Sequence, residues 1–300
     1  MRFSFWPSSA HPWSEILESA RHAEATGYDG VWFADHFMPN GADNTGPCQE
    51  VFTVLAGLAA AVPRVRLGTL VVGNTYRHPA VVAKMAATID HISGGRFVLG
   101  LGAGWQENEH RAYGIPFYTM PDRLSRLDEA CRVVRALLRD ERSSLEGKYY
   151  TLDDAPLAPK PVQQPLPIMI GGGGEKVTLR ITARHAEEWN VWGTVETLVH
   201  KMKVLDHHCE REGRDPAAIQ RSAVALLVLS DDRAKVEQAR ANAGRPPVVA
   251  GNVSEVRDIM ARYRDAGVDE FILPDFNLGK GAQKQETMER FIREVAAGLR

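Results

Sequence analysis

Between Arg66 and Trp105 the chain reads as strand, turn, helix, turn, strand: RLGTLVVG, NTYRHP, AVVAKMAATIDHI, SGG and RFVLGLGAGW. Both strand segments are near-continuous apolar runs rather than alternating ones, the pattern of parallel strands covered on both faces. Gly73 and Asn74 follow the first strand, and Gly100, Gly102 and Gly104 close the second. Side chains are thus removed at the carboxyl ends of two adjacent strands, where ligands bind in parallel α/β folds. One such glycine is equally well explained by a tight strand-to-helix turn. Five small residues at the same ends point to a site for something flat or anionic.

The same alternation runs along the chain. Apolar strands are expected at 2–6, 30–36, 66–73, 96–102, 166–170, 189–192, 221–229 and 268–274. Helical spacing is expected over 14–26 (closed by Gly27), 51–62, 80–92, 121–140, 175–186, 197–212, 231–243, 254–266 and 286–299. Residues 246–252 read as a turn. The 37–50 loop, rich in Gly, Asn, Asp and Pro, has the length of a lid or binding loop, and 141–165 reads as an extended insertion. Eight strands alternating with helices, with no linker-like break, favour a closed (β/α)8 TIM barrel formed as a single domain by residues 1–300 over an open doubly wound sheet. A Rossmann reading of GLGAG fails on spacing, G-x-G-x-G instead of G-x-G-x-x-G.

Composition narrows the function. A formal net charge of -2 argues against nucleic acid or a membrane surface as partner, since both need a concentrated basic face. Cys48, Cys131 and Cys209 lie far apart without C-x-x-C spacing, so neither a disulfide framework nor a structural zinc site is expected. His207, His208 and Cys209 are neighbours on one helix and do not converge on a metal ion. The first residues lack a secretory pattern and no apolar run approaches the roughly 20 residues of a membrane span, so a cytoplasmic enzyme acting on a small molecule is expected.

Candidate chemistry sits at strand carboxyl ends. Asp35 and His36 close the second strand, and a carboxylate beside an imidazole can hold the ring's tautomer for proton transfer; a capping role for Asp35 and a packing role for His36 are the alternatives. Arg77 could meet an anion or lie in solvent. Trp105 offers an aromatic wall, while Glu107, Asn108, Glu109 and His110 supply polar groups and helix-start residues. Gly171 to Gly174 precede a helix and leave backbone open at its positive end, where a phosphate can bind. Tyr149 and Tyr150 either cover a ligand or pack the insertion on the barrel. No G-x-S-x-G elbow occurs, and no lysine ends a strand where a Schiff base would be expected.

GYDGVWFADHF, LGTLVVGNTYRHPAVVAKMAATIDHISGGRFVLGLGAGW and PIMIGGGGEKVTLRITARHAEEWN resemble the bacterial luciferase-like monooxygenase superfamily, in its coenzyme F420-dependent branch, over nearly the whole chain. That resemblance implies a (β/α)8 barrel holding a deazaflavin in its mouth. It places Asp35 and His36 beside the ring and Leu70, Val71, Gly73 and Asn74 on a bulged strand behind it, commonly with a non-prolyl cis peptide. It also places Ala103, Gly104 and Trp105 along the cofactor and Gly172, Gly173, Gly174 and Glu175 at its phosphate. Related sugar-phosphate dehydrogenases carry an acidic glutamate where this chain has Trp105, so proton handling falls to His36, Glu107 or Glu109. The implied activity is hydride transfer between C5 of F420 and an organic substrate. A sister branch uses reduced FMN and oxygen as a monooxygenase, and a non-catalytic F420-binding protein is a third reading. Family members are often homodimers, and the alanine-rich helices at 51–62 and 80–90 suit either an interface or the barrel wall.

Overall fold

The computed structural model describes residues 1–41, 43–242, 244 and 246–300. The strands are β1 (Arg2–Trp6), β2 (Gly30–Phe33), β3 (Arg66–Thr69), β4 (Val72–Gly73), β5 (Phe97–Gly102), β6 (Arg142–Glu146), β7 (Thr151–Pro156), β8 (Ile168–Gly171), β9 (Glu188–Trp192), β10 (Gln220–Val224), β11 (Leu226–Leu229), β12 (Val248–Gly251) and β13 (Glu270–Pro274). Eight of them, β1, β2, β3, β5, β8, β9, β10 and β13, pair in parallel, and β3 with β5 closes the ring. This is the expected (β/α)8 barrel. β4 is a short continuation of β3 that resumes pairing with β5 after the break at Leu70–Val71.

Continuous apolar runs are required because each strand is covered twice. Outward side chains such as Phe3, Phe5, Val31, Leu67, Leu99, Ile168 and Phe271 join the core shared with the surrounding helices. Inward ones, among them Trp6, Trp32, Leu70, Val98, Met169, Val224 and Ile272, fill the barrel. The amino end is plugged by a buried ionic network. Glu270 accepts from Ser4 Oγ at 2.5 Å, Trp32 Nε1 at 2.8 Å and Arg66 Nη1 at 3.0 Å, and Arg66 also reaches Glu188 on the opposite wall. With one end sealed, only the carboxyl end is left for ligands.

Helix ends follow local chemistry. The Trp13–Thr26 helix stops where Gly27 turns left-handed, φ 99°, and sends its amide back to Ala23. Pro79 opens the Pro79–Ser93 helix and Thr119 caps the Met120–Arg139 helix.

Four expectations change. Residues 246–252 are not simply a turn: β12 pairs in parallel with β11. The expected 221–229 strand divides at Ala225, β10 staying in the barrel and β11 leaving to meet β12. A four-residue VVAG run carries too little periodicity to announce that partner. The insertion is an antiparallel hairpin, β6 with β7. Its turn is pinned by Glu129, 3% exposed, which accepts the amides of Lys148, Tyr149 and Tyr150 at 2.7–3.0 Å. Finally, the helix expected from Glu175 begins at Thr178, so a turn separates it from the glycines. No helix is long and apolar enough to cross a membrane among the described residues.

Candidate active site

The floor of the barrel mouth lies at the break between β3 and β4. The Leu70–Val71 peptide is cis, and Val71 lies across β5 and β8. A Cβ built on Gly100, Gly102 or Gly171 would stand 2.7–2.9 Å from the Val71 methyls, closer than real Cβ contacts. These glycines therefore let two strands approach Val71, whose side chain lies over them. Asn74 continues the floor, its amide bonded to the Gly102 carbonyl at 2.9 Å and its side chain donating to the Tyr150 hydroxyl at 3.3 Å.

Asp35 and His36 do not pair with each other. The Asp35 carboxylate is fully buried and is gripped by Arg77 at 2.8 and 3.1 Å and by the Gly73 amide at 3.1 Å. It ties β2 to the bulge beyond β3. Burial pushes this carboxyl up, against the pull of Arg77 and the amide. Burial pulls Arg77 down, but Asp35 and Glu50, the latter at 2.6 Å, hold it above its ordinary value. Arg77 is thus a clamp between two carboxylates and not a free anion receptor.

The carboxylate that orients His36 is Glu109, from the Glu107–Tyr113 helix after β5. His36 Nδ1 lies 2.9 Å from Glu109 Oε1; the Phe37 amide donates to Oε2 at 2.7 Å, and Tyr76 donates its hydroxyl to Oε1. Glu109 is fully buried. Burial opposes its ionisation, yet the His36, Phe37 and Tyr76 donors hold it below the ordinary carboxylate range. Burial and Glu109 together push the Tyr76 phenol far up, so it stays a donor. An anionic Glu109 accepts a hydrogen bond from His36 Nδ1–H and leaves Nε2 to exchange a proton. Trp105, 60% exposed, meets the His36 ring edge-on at 5.4 Å.

Glu107 is exposed and pairs with Arg111 one turn along, and does not join the His36–Glu109 pair. His110 is buried between the Gln106 carbonyl and Thr75 Oγ1, a bracing role. Gly172 (φ 125°), Gly173, Gly174 and Glu175 form the turn after β8. Lys201 from the Val195–Arg211 helix lies on it, donating to the Gly173 carbonyl at 2.7 Å and to Glu175 at 3.0 Å, and the latter carboxyl is lowered chiefly by Lys201. Ala103 and Gly104 follow β5 beside Asn74 and Thr75.

Sequence reasoning missed Tyr76, Lys201 and an aromatic cluster. Trp6 at the end of β1 contacts Trp192, at the end of β9, at 5.8 Å, and Phe276, just past β13, at 5.2 Å. Two of these end expected strands, a usable signal. Lys201 had none, lying mid-helix.

The luciferase-like monooxygenase family matches residues 1–267. The chain belongs to that family. Among its relatives, an F420-dependent glucose-6-phosphate dehydrogenase from Kineococcus radiotolerans is 40% identical over 55% of this chain and 48% of its own length. The chain thus spans about half the length of the sugar-phosphate dehydrogenases it matches. The pyrimidine monooxygenase RutA of Cronobacter sakazakii is 31% identical over 83% of this chain and 75% of its own. In fold, an F420-dependent secondary alcohol dehydrogenase superposes with a TM-score of 0.87 at 21% identity, covering 100% of this chain and 99% of that one. The coenzyme F420-dependent tetrahydromethanopterin reductase of Methanopyrus kandleri does so with 0.84 at 19%, over 100% and 99%.

Proposed function

We propose that the protein is an F420-dependent oxidoreductase that transfers a hydride between the deazaflavin and a small organic substrate. The observations that carry this reading are the floor at the cis Leu70–Val71 peptide, where Val71 packs on Gly100, Gly102 and Gly171, and the His36–Glu109 pair. A flat ring system fits such a floor. Val71 would back the ring, Asn74, Ala103 and Gly104 would run along it, and the Gly172–Glu175 turn with Lys201 would meet its phosphate. When bound, the deazaflavin supplies a hydride donor or acceptor at C5. The chain's own work is to hold that carbon against the substrate and to move one proton at His36 Nε2. Similarity to F420-dependent dehydrogenases supports the cofactor.

The rim favours an apolar substrate. Trp6, Trp192 and Phe276 stand on one side and Trp105 on another, all without a charge. A sugar phosphate is a poorer fit. The broad overlap with RutA supports a second reading, an FMN-dependent monooxygenase using reduced FMN and oxygen.

Fluorescence quenching with oxidised F420 and with FMN tests the two. Tighter binding of F420, weakened by Gly173→Asp, supports the first; preference for FMN moves the assignment to the second. Binding of neither removes both.

A further inference from the structure

The Met120–Arg139 helix begins with two arginines that face inward without an ionic partner. Arg123 is 6% exposed, yet its Nε and Nη1 have no hydrogen-bond partner, and neither does the buried Nε of Arg126. Among the described residues neither makes an ion pair. Nearby acids are committed elsewhere: Asp122 is taken by Thr119 and Tyr149, and Glu107 by Arg111. Buried guanidinium N–H groups are ordinarily satisfied, so donors left open mark a missing acceptor.

Both groups stand one aromatic layer behind the mouth. Arg123 stacks at 3.9 Å on Phe117, whose ring packs on His110, and His110 reaches Thr75 at the rim. Arg126 is held at 3.7 Å from the Tyr118 ring and 4.4 Å from that of Tyr149. The neighbouring Tyr150 hydroxyl bonds Asn74 on the floor. Arg123 Nη2 donates to Met120 Sδ at 3.7 Å, while stacking fixes both planes and leaves Arg123 Nε and Nη1 and Arg126 Nε open, an arrangement that selects oxyanions. The helix start adds its positive end.

We propose that Arg123 and Arg126 form an anion subsite, separate from the glycine turn, that takes the charged tail of the cofactor as it leaves the barrel mouth. This rests on the F420 reading above. The shared chemistry is a carboxylate on a flexible chain, beyond the phosphate that the glycine turn would meet: the carboxylates of the lactyl and γ-glutamyl tail.

The test is binding of three ligands to wild type, Arg123→Met, Arg126→Met and the double variant: F420 with its glutamyl tail, F420 trimmed to the phospholactyl group, and the deazaflavin riboside lacking both. The riboside reports the ring site and serves as the control for folding. Each methionine is expected to weaken full-length F420 by about tenfold, leaving riboside affinity within about twofold of wild type. An equal loss for the trimmed form assigns the subsite to the lactyl carboxylate on which that form ends; a loss confined to the full-length form assigns it to the glutamyl carboxylates. Unchanged F420 affinity in the double variant, or a parallel loss of riboside, overturns the subsite while the F420 reading stands. Wild type that binds none of the three overturns both.

Discussion

His36 and Glu109 lie 73 positions apart on different elements, yet the histidine Nδ1 is 2.9 Å from the glutamate Oε1. Sequence adjacency suggested Asp35 as the partner. Asp35 lies just past β2 and is instead engaged by Arg77 and the Gly73 amide. His36 meets a carboxylate from the helix after β5.

Loss of the orienting carboxylate should therefore resemble a mild version of loss of the imidazole. Once a turnover assay with reduced or oxidised F420 is in hand, His36→Ala is expected to lower kcat/KM by about 10²–10³-fold, and Glu109→Gln by about tenfold or more. F420 affinity should stay near wild type in both. Equal activity of His36→Ala and wild type would remove His36 from proton transfer.

Acid sensitivity follows from the same glutamate. Its folded carboxyl lies below the ordinary value of 4.5, so the unfolded chain binds more protons in that range. The stability it contributes is fully present above the ordinary value and is lost as pH falls through the lowered folded one. Glu255, held down to about 2 first by the Asn252 amide and then by Arg233, adds to the same limb. Urea unfolding from pH 7 to pH 3 should show a shallower acid decline for Glu109→Gln than for wild type; an unchanged slope contradicts this account.

Arg77 is the only cation within ion-pair distance of the buried Asp35 among the described residues. Arg77→Met should destabilise by about 3–5 kcal/mol, the range for stranding a buried charge. Because Asp35 also holds the Gly73 amide, F420 binding should weaken in the same variant. Chemical denaturation and a binding titration check the two parts separately.

Gly100 offers a steric test. An alanine Cβ there would overlap the Thr69 carbonyl, which is backbone, as well as a Val71 methyl at 2.9 Å. Gly100→Ala is expected to cost about 2–4 kcal/mol. Gly102→Ala meets only the Val71 side chain within 3 Å and should cost less while still impairing cofactor binding.

Trp105 is exposed and meets the His36 ring edge-on, so Trp105→Ala should leave stability within about 0.5 kcal/mol of wild type. Under the apolar-substrate proposal, Trp105→Ala and Phe276→Ala should each raise KM by about three- to tenfold. Unchanged KM values in both would direct attention to a polar substrate.

The sequence by itself determined the barrel. Unbroken apolar strands joined by amphipathic helices leave parallel pairing as the arrangement that covers every face, and Gly73, Gly100 and Gly102 marked which strand ends were stripped of side chains. It also carried the motifs of the family and the place of the bulge. Tertiary structure alone decided which charges meet: Asp35 with Arg77, His36 with Glu109, Lys201 with the glycine turn, and Arg123 and Arg126 with aromatic rings but no carboxylate among the described residues. Periodicity reports which face of an element is covered. Polar pairing depends on distances between elements far apart in the chain, set by closure of the barrel, and no local pattern encodes them.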